Sequence, residues 1–257
     1  MSTKNSIEEI LSGYKGIGLT EVQKASLLRR KDRKYIFSLS KLASILEELK
    51  DSYDVLEIGN NRVQNYQTKY FDTPKLDMYH MHHRGMLNRH KIRFRKYNSS
   101  ELVFLEVKRK DSRGVTTKKR LKIENGNSVI LSKEEEFLSS FTPYGNEKIN
   151  PALENNFNRI TLVHRNQKER ITLDYHLSFS KPGKSDSLKL FGVAIAEIKF
   201  QNRLSGTVFV HVLRKNKIPP RRFSKYCTGM AMLNPDLKQN LFKMKIKEVN
   251  KLNNENL

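Results

Sequence analysis

The chain has 257 residues, of which 49 are Lys or Arg and 27 are Asp or Glu, so its formal net charge is +22. This balance indicates a polyanionic partner: nucleic acid, polyphosphate, a nucleotide or an acidic membrane surface. The lone Cys227 excludes a disulfide framework and a cysteine zinc site. Without an apolar run of about 18 residues no transmembrane segment is expected, and without a signal segment we expect a cytoplasmic protein.

The first part of the chain predicts a short lead-in followed by a strand and a helix. Residues 1–28 are interrupted by glycines and are expected to be helical or loosely ordered. A strand is predicted over 28–37, and Ser40 is placed as the N-cap of a helix over 41–50. A further strand is predicted near 63–71, before the turn at Asp72-Thr73-Pro74.

The remainder predicts mostly hairpin-connected strands, interrupted by helices. Ser132 and Glu135 have capping-box spacing and predict the start of a short helix. Strands are predicted at 89–97, 102–110, 113–123, 158–166, 169–180 and 189–200, and later helices at 205–216 and 226–247. We expect one domain over 29–247 and a disordered tail over 248–257.

Several of these strands alternate strictly between charged and apolar residues. In the segment 89–95, Arg93 and Arg95 share one parity, whereas Ile92 and Phe94 share the other. Successive strand side chains point to opposite faces, so one face is cationic and the other apolar. The pattern recurs in 104–108, 118–122, 170–174 and 195–200. So many cations on one face would repel each other unless an anion lay among them.

About eight closely spaced strands predict an α+β fold built on a closed antiparallel β-barrel. If the helices pack on the outside, against the apolar face, the charged face must line a cationic tunnel. Glu106 and Glu197 share that face, and their expected role is to hold a hard divalent cation that bridges phosphates. Lysines, arginines, a metal ion and a phosphate chain are the components of phosphoryl transfer.

The chain contains, in order, the motifs Lys34-Tyr35, Tyr70-Phe71-Asp72-Thr73, Tyr79, His83-Arg84, Lys91-Ile92-Arg93-Phe94-Arg95-Lys96-Tyr97, Phe104-Leu105-Glu106-Val107-Lys108 and Ser224-Lys225-Tyr226. With these motifs the sequence resembles a known family, the VTC domain. This is the catalytic domain of vacuolar transporter chaperone polyphosphate polymerases, within the triphosphate tunnel metalloenzymes. The resemblance runs from about residue 29 to 235, with its motifs in order.

The resemblance implies a tunnel enzyme that transfers the terminal phosphoryl group of ATP to a growing polyphosphate chain, using Mn²⁺ or Mg²⁺. It departs from the family at Asp32, where a glutamate is frequent. The register of the segment 118–120 is open, although parity favours Lys118 and Arg120 over Lys119. The expected catalytic residues are Lys34, Arg93, Arg95, Lys108 and Lys225; the phosphate-binding residues are Lys91, Lys118, Arg120, Arg165, Arg170 and Lys199; the metal ligands are Glu197 and Glu106.

Two other functions fit the same residues. A tunnel phosphohydrolase would cleave triphosphate or a nucleoside triphosphate with water as the acceptor. A non-catalytic module would bind polyphosphate or nucleic acid, but RNA binding favours aromatic residues on the exposed basic face, and Tyr35 and Phe94 lie opposite it. We therefore expect ATP and polyphosphate as partners and no nucleic acid, and a membrane-protein partner for product export is left open.

Overall fold

The computed structural model describes residues 3–24, 31–124, 130–145, 149–166, 169–200 and 207–255. The strands described are β1 (Gly16–Ile17), β2 (Lys31–Ser38), β3 (Tyr53–Leu56), β4 (Gln64–Asp72), β5 (Arg89–Tyr97), β6 (Leu102–Lys110), β7 (Thr116–Ile123), β8 (Asn150–His164), β9 (Glu169–Ser180), β10 (Ser187–Leu190) and β11 (Val193–Phe200). The α-helices are α1 (Thr3–Ser12), α2 (Leu19–Lys24), α3 (Leu42–Leu49), α4 (Asp77–His83), α5 (Ser132–Phe141), α6 (Val208–Lys215), α7 (Lys225–Leu233) and α8 (Lys243–Asn254).

Eight strands form one continuous antiparallel path in the order β2-β11-β9-β8-β4-β5-β6-β7. Off this path, β10 pairs with β9, and β3 joins β8 on one side and the parallel strand β1 on the other. The expected α+β class with a large antiparallel sheet is confirmed. Over the described residues no ladder of hydrogen bonds joins β7 to β2, so the closed barrel remains a prediction.

The register places the charged side chains of neighbouring strands on one face of the sheet. Arg93 lies opposite Glu106, which in turn lies opposite Arg120. Near the other end of the strand order, Glu197 on β11 lies opposite Lys34 on β2. Because these residues share the parity predicted from the sequence, the alternating pattern is confirmed as the basis of a single charged face.

The charged face is concave. Burial lowers the pKa of Lys108 on β6, and the charges of Glu197 and Lys34 on β11 and β2 also act on it. In the strand order β6 and β11 are five steps apart, which in a flat sheet would mean about 24 Å at about 4.8 Å per strand. The sheet is therefore curved towards its charged face.

Two apolar clusters cover the convex face. One joins α1, α3 and α6 to the outward residues of β2, β8, β9 and β11, including the fully buried Leu46, Leu173 and Phe209. The other packs α5 against Phe94 and Leu105 on β5 and β6. These helices lie outside the sheet, as expected from the apolar parity of its outer face.

Helices α7 and α8 differ from that expectation, because they cover part of the concave face. Their apolar residues form a cluster with Ile36, Leu153, Phe179 and Ile195, which all point to the concave side. The interior is therefore divided into an apolar part filled by helices and a charged part. The expectation that every helix packs outside is wrong, since these inward apolar positions also require cover.

A bulge in β9 sets the boundary between the two parts. Asn156 pairs with Ser178 but Asn158 pairs with Tyr175, so β9 contains one extra residue there. His176 lies within it and has a φ of 50°, a left-handed conformation that is uncommon outside glycine. Because the bulge takes up one extra residue, the inward positions of β9 change from even numbers, as in Asp174, to odd numbers, as in Leu177.

The C-terminal region also differs from the prediction. The single helix expected over 226–247 is two helices, α7 and α8, separated by a segment that contains Pro235. Residues 248–254, expected in a disordered tail, lie within α8, where Val249 is fully buried. Asn253 ties this end of the chain to the sheet by accepting a hydrogen bond from the Gly192 amide at 2.9 Å.

Several local predictions require smaller corrections. Ser40 is not the N-cap of α3; instead Ser38 caps a preceding 3₁₀ turn and accepts from the Ser40 amide. The carboxylate that accepts the Leu131 amide at the start of α5 belongs to Glu134 rather than Glu135. The strand predicted over 189–200 is interrupted between β10 and β11, and β3 was not predicted at all.

Gly229→Ala should destabilise the fold, because α7 packs on the concave face with no space for a methyl group. A Cβ at this position would lie 2.6 Å from the Phe179 ring and 2.9 Å from Leu153. We expect a loss of about 1–3 kcal/mol in the free energy of unfolding, measured by urea denaturation. Gly18→Ala is the control, since its Cβ would meet nothing closer than 3.7 Å. Equal stability of the two variants would contradict this packing.

Candidate functional site

Three carboxylates organise the charged part of the concave face, and each is shared by two cations. The first is Glu106 on β6, whose side chain is only 2% exposed. Arg93 donates to Glu106 Oε2 from Nε at 2.8 Å and from Nη2 at 2.6 Å, and Lys118 donates to Oε1. Burial alone would raise the pKa of Glu106, but Arg93, Arg95 and Lys118 outweigh it and hold that pKa well below its usual range.

The second carboxylate is Glu197 on β11. Lys34 Nζ lies 2.5 Å from one of its oxygens and Lys199 Nζ lies 2.6 Å from the other. Burial opposes ionisation, yet these two lysines keep the pKa of Glu197 well below the ordinary value. The β2–β11 ladder positions all three groups, because Lys34 is directly opposite Glu197 in the register.

The third carboxylate, Asp174 on β9, binds one cation from the sheet and one from a helix. Arg159 holds it with two hydrogen bonds, from Nε at 2.5 Å and Nη2 at 2.7 Å. Lys225, at the first position of α7, donates to Asp174 Oδ2. Sequence reasoning singled out Lys225 but not Arg159 or Asp174. Asp174 could have been found from its parity with Arg170 along β9.

Two further cations, Arg95 and Lys91, contact neutral groups. Arg95 is buried, with its guanidinium 5.4 Å from the centroid of the Tyr66 ring and 5.8 Å from that of Phe157. Lys91 on β5 donates to the Ser224 hydroxyl at 2.9 Å. Ser224 is also the N-cap of α7, where it accepts a hydrogen bond from the Cys227 amide. The start of α7 is therefore attached to β5 through Lys91 and to Asp174 on β9 through Lys225.

Burial lowers the pKa of several lysines at this site. It lowers the pKa of Lys225 to about 7, although Asp174 acts in the opposite direction. It also lowers the pKa of Lys91 and of Lys118 to about 8 each. In the absence of an anion these lysines therefore hold their protons weakly near neutral pH.

The structure brings most of the predicted residues to this face. Lys108, Arg120 and Arg170 have the inward parity in the ladders of β6, β7 and β9. Arg120 is exposed and lies over the Phe104 ring, with its guanidinium 4.8 Å from the ring centroid. Lys119 points outward, with its ammonium 5.3 Å from the centroid of Phe141, which fixes the register left open by the sequence.

Arg165 is not brought to the site. It follows the end of β8 and forms an ion pair with Asp54 at 2.7 Å. It also donates to the carbonyl oxygens of Asp51, at 2.6 Å, and Lys50, at 3.3 Å. These bonds give Arg165 the role of joining the β8 end to the turn before β3.

The two predicted metal ligands have different surroundings. In both carboxylates each oxygen contacts a cation, but the side chain of Glu106 is only 2% exposed, whereas that of Glu197 is 18% exposed. Within the described residues no three His, Cys, Asp or Glu side chains form a set that could hold a metal ion. Magnesium and manganese accept one or two carboxylates with phosphate oxygens and water completing the shell, so Glu197 fits such an ion only when phosphate is present.

This arrangement suits the binding of a chain of phosphates. Arginine forks and lysine ammonium groups from β2, β5, β6, β9, β11 and α7 converge on one concave surface, where each can donate to phosphate oxygens. The carboxylates orient their partner cations and reduce the mutual repulsion without cancelling the positive charge.

No helix among the described residues is both long and apolar enough to cross a membrane.

Comparison with known proteins identifies a family. The model of the VTC domain matches residues 29–234. Among curated proteins, none matches the chain. Similar solved structures include a candidate adenylate cyclase from Bacillus halodurans, with 13% identity, a TM-score of 0.48, and coverage of 76% of this chain and 95% of that one. Another is a candidate adenylyl cyclase from Hippeastrum with dominant triphosphatase activity, with 14% identity, a TM-score of 0.47, and coverage of 79% and 96%.

Binding of inorganic triphosphate should draw protons from solution near pH 8. An anion beside Lys225, Lys91 and Lys118 raises their lowered pKa values, so neutral lysines become charged on binding. We expect an uptake of about one to two protons per triphosphate at pH 8 and clearly less at pH 6, where these lysines are already protonated. Calorimetric titrations in buffers of different ionisation enthalpy measure the uptake.

Lys225→Met provides the control for this measurement. It should reduce the uptake at pH 8 by about one proton, since the lysine with the lowest of the three pKa values is then absent. An uptake that is equal at pH 6 and pH 8 in the unmodified protein would show that these lysines stay charged in the empty site.

Proposed function

Because the chain belongs to the VTC domain family, we propose that it is a polyphosphate polymerase that transfers the terminal phosphoryl group of ATP to a growing polyphosphate chain. The observation that carries this proposal is the excess of cations over carboxylates on one concave face. Glu106, Asp174 and Glu197 each bind two cations, and further cations lie beside them. This surface offers more donors than the three phosphates of one ATP can use.

The residues would act mainly through charge and position. Arg93, Arg95, Lys108 and Arg159 supply donors for the phosphates of the nucleotide and the chain end, and aligning the two anions offsets their mutual repulsion. The attacking atom is a terminal phosphate oxygen that carries no proton at neutral pH, so no general base is needed. Lys225 lies at the N-terminus of α7 beside Asp174. Its ammonium group would stabilise the negative charge that moves between the phosphates during transfer.

Glu197 is the proposed ligand for Mg²⁺ or Mn²⁺, with Asp32 nearby on β2. When bound, the ion would neutralise charge on the transferred phosphoryl group. Because its side chain is only 2% exposed, against 18% for Glu197, Glu106 is better suited to holding Arg93 and Lys118 in position than to binding the metal. The predicted closed tunnel would add exclusion of water, which favours phosphate over water as the acceptor.

The deciding experiment incubates the protein with ATP and Mn²⁺ or Mg²⁺, with and without a short polyphosphate primer. We expect an acid-labile polymer that an exopolyphosphatase degrades, formed in step with ADP. Release of orthophosphate alone, with primer present, would replace this proposal with a triphosphate or nucleoside-triphosphate phosphohydrolase. If neither product forms while polyphosphate still binds, the protein is a non-catalytic binding module.

Glu197→Gln should reduce turnover by at least about a hundredfold, because it removes the proposed metal ligand and the charge that positions Lys34 and Lys199. Triphosphate binding without metal should be retained or strengthened, because a negative charge leaves the site. Steady-state kinetics and calorimetry measure the two effects separately. The control is Glu154→Gln, whose carboxylate lies 3.6 Å from Lys69 and faces the convex side of β8. Full metal-dependent activity in Glu197→Gln would remove Glu197 from the mechanism.

A further inference from the structure

A cavity of about 440 Å³ lies on the convex side of β2, outside the charged concave face. Tyr35, Val210 and Ile218 form its apolar lining together with the two prolines that follow Ile218. All three of these residues are buried, with exposures of 5% or less. The volume falls within the range of about 300–1,000 Å³ that is typical of small-molecule sites.

Three cations also line this cavity: Arg33 from β2, Arg214 from the last turn of α6, and Lys217 just beyond it. All three are exposed. Burial raises the pKa of Tyr35, the charges of Arg33 and Arg214 oppose that rise, and the buried carboxylate of Glu169 adds to it, so both guanidinium groups lie near the Tyr35 hydroxyl. Within the described residues that line the cavity no carboxylate is present to balance these charges.

The cavity wall continues directly into the proposed active site. Pro220 forms an antiparallel bridge with Tyr35, and the Arg221 amide donates to the Lys34 carbonyl at 2.7 Å. Four residues later the same segment delivers Lys225 to Asp174. A molecule in the cavity would thus contact both the strand that carries Lys34 and the segment that carries Lys225.

We propose that this cavity is a binding site for an amphipathic anion, with its acyl chain on the apolar lining and its acidic group on Arg33, Arg214 and Lys217. The apolar lining disfavours a purely ionic ligand such as phosphate, and the cations disfavour a neutral one. Free fatty acids and anionic phospholipids share this chemistry. The proposal does not rest on the polymerase activity, because Arg33 and Tyr35 line the cavity from the face of β2 opposite to that of Lys34.

Calorimetry with decanoate tests the proposal, in the presence of saturating inorganic triphosphate to occupy the concave face. We expect saturable binding of one decanoate per chain, and binding of 1-decanol at least about tenfold weaker. Absence of saturable binding by the unmodified protein, or equal affinity for the alcohol, would overturn the proposal. The assay does not depend on turnover, so its outcome is distinct from that of the polymerase test.

Matched variants locate the site. Arg33→Ala combined with Arg214→Ala should weaken decanoate binding by at least about tenfold, whereas Lys215→Ala, which removes a neighbouring exposed cation paired with Glu48 at 2.7 Å, should leave it unchanged. Thermal unfolding checks that the variants fold, and Arg214→Gln alone replaces the double variant if it does not. Equal losses in Lys215→Ala and the double variant would overturn the assignment.

Vesicles distinguish the two sources of the ligand. If the cavity accepts a phospholipid chain, the unmodified protein should bind phosphatidylglycerol vesicles more tightly than the double variant does. If the two proteins differ only in their binding of decanoate, the site is assigned to free acyl anions. If both ligands bind the double variant as tightly as the unmodified protein, their binding reflects the overall positive charge, and the proposal is wrong.

Discussion

The sharing of one carboxylate between two cations is the interaction on which this structure depends. Glu106, Asp174 and Glu197 lie on different strands, and each is almost inaccessible or only slightly exposed. Isolated charges at such positions would be costly, but each carboxylate is surrounded by donors that lower its pKa. The sheet can therefore carry a strongly cationic concave face and still fold, and the remaining positive charge is available to an incoming anion.

Helix α7 connects the apolar and charged parts of the interior. Its residues Tyr226 and Met230 pack in the apolar part, while Lys225 and the Ser224 cap reach the charged part. The Tyr226 hydroxyl donates to Asp72, whose carboxylate also accepts the amides of Met78 and Tyr79 at 2.9 Å each at the start of α4. One buried carboxylate thus fixes two helices relative to β4, which explains in physical terms why the Tyr70–Thr73 motif accompanies the site.

The sequence was most informative where strands are regular. Alternation in β5, β6 and β11 predicted which side chains share a face, and the ladders confirm it. It was least informative where geometry depends on distant parts of the chain. The partnership of Arg159 and Asp174 depends on register between β8 and β9, and Ile36 has the same parity as Lys34 yet faces a helix rather than an anion. Arg165 lies directly after the end of β8, where strand parity does not predict its ion pair with Asp54.

The extra residue at His176 has a consequence for how this domain can vary. A β-strand is a two-position cycle, so inserting or deleting one residue exchanges its two faces from that point onward. If the same residues paired without a bulge, Asp174 would stay on the charged side but Leu177 and Phe179 would turn away from α7, whereas loss of His176 itself would leave all three on the concave side. A deletion at His176 would therefore remove only the irregularity and keep the charged and apolar positions of β9 on the concave side, so the bulge is a place where this strand can lose a residue.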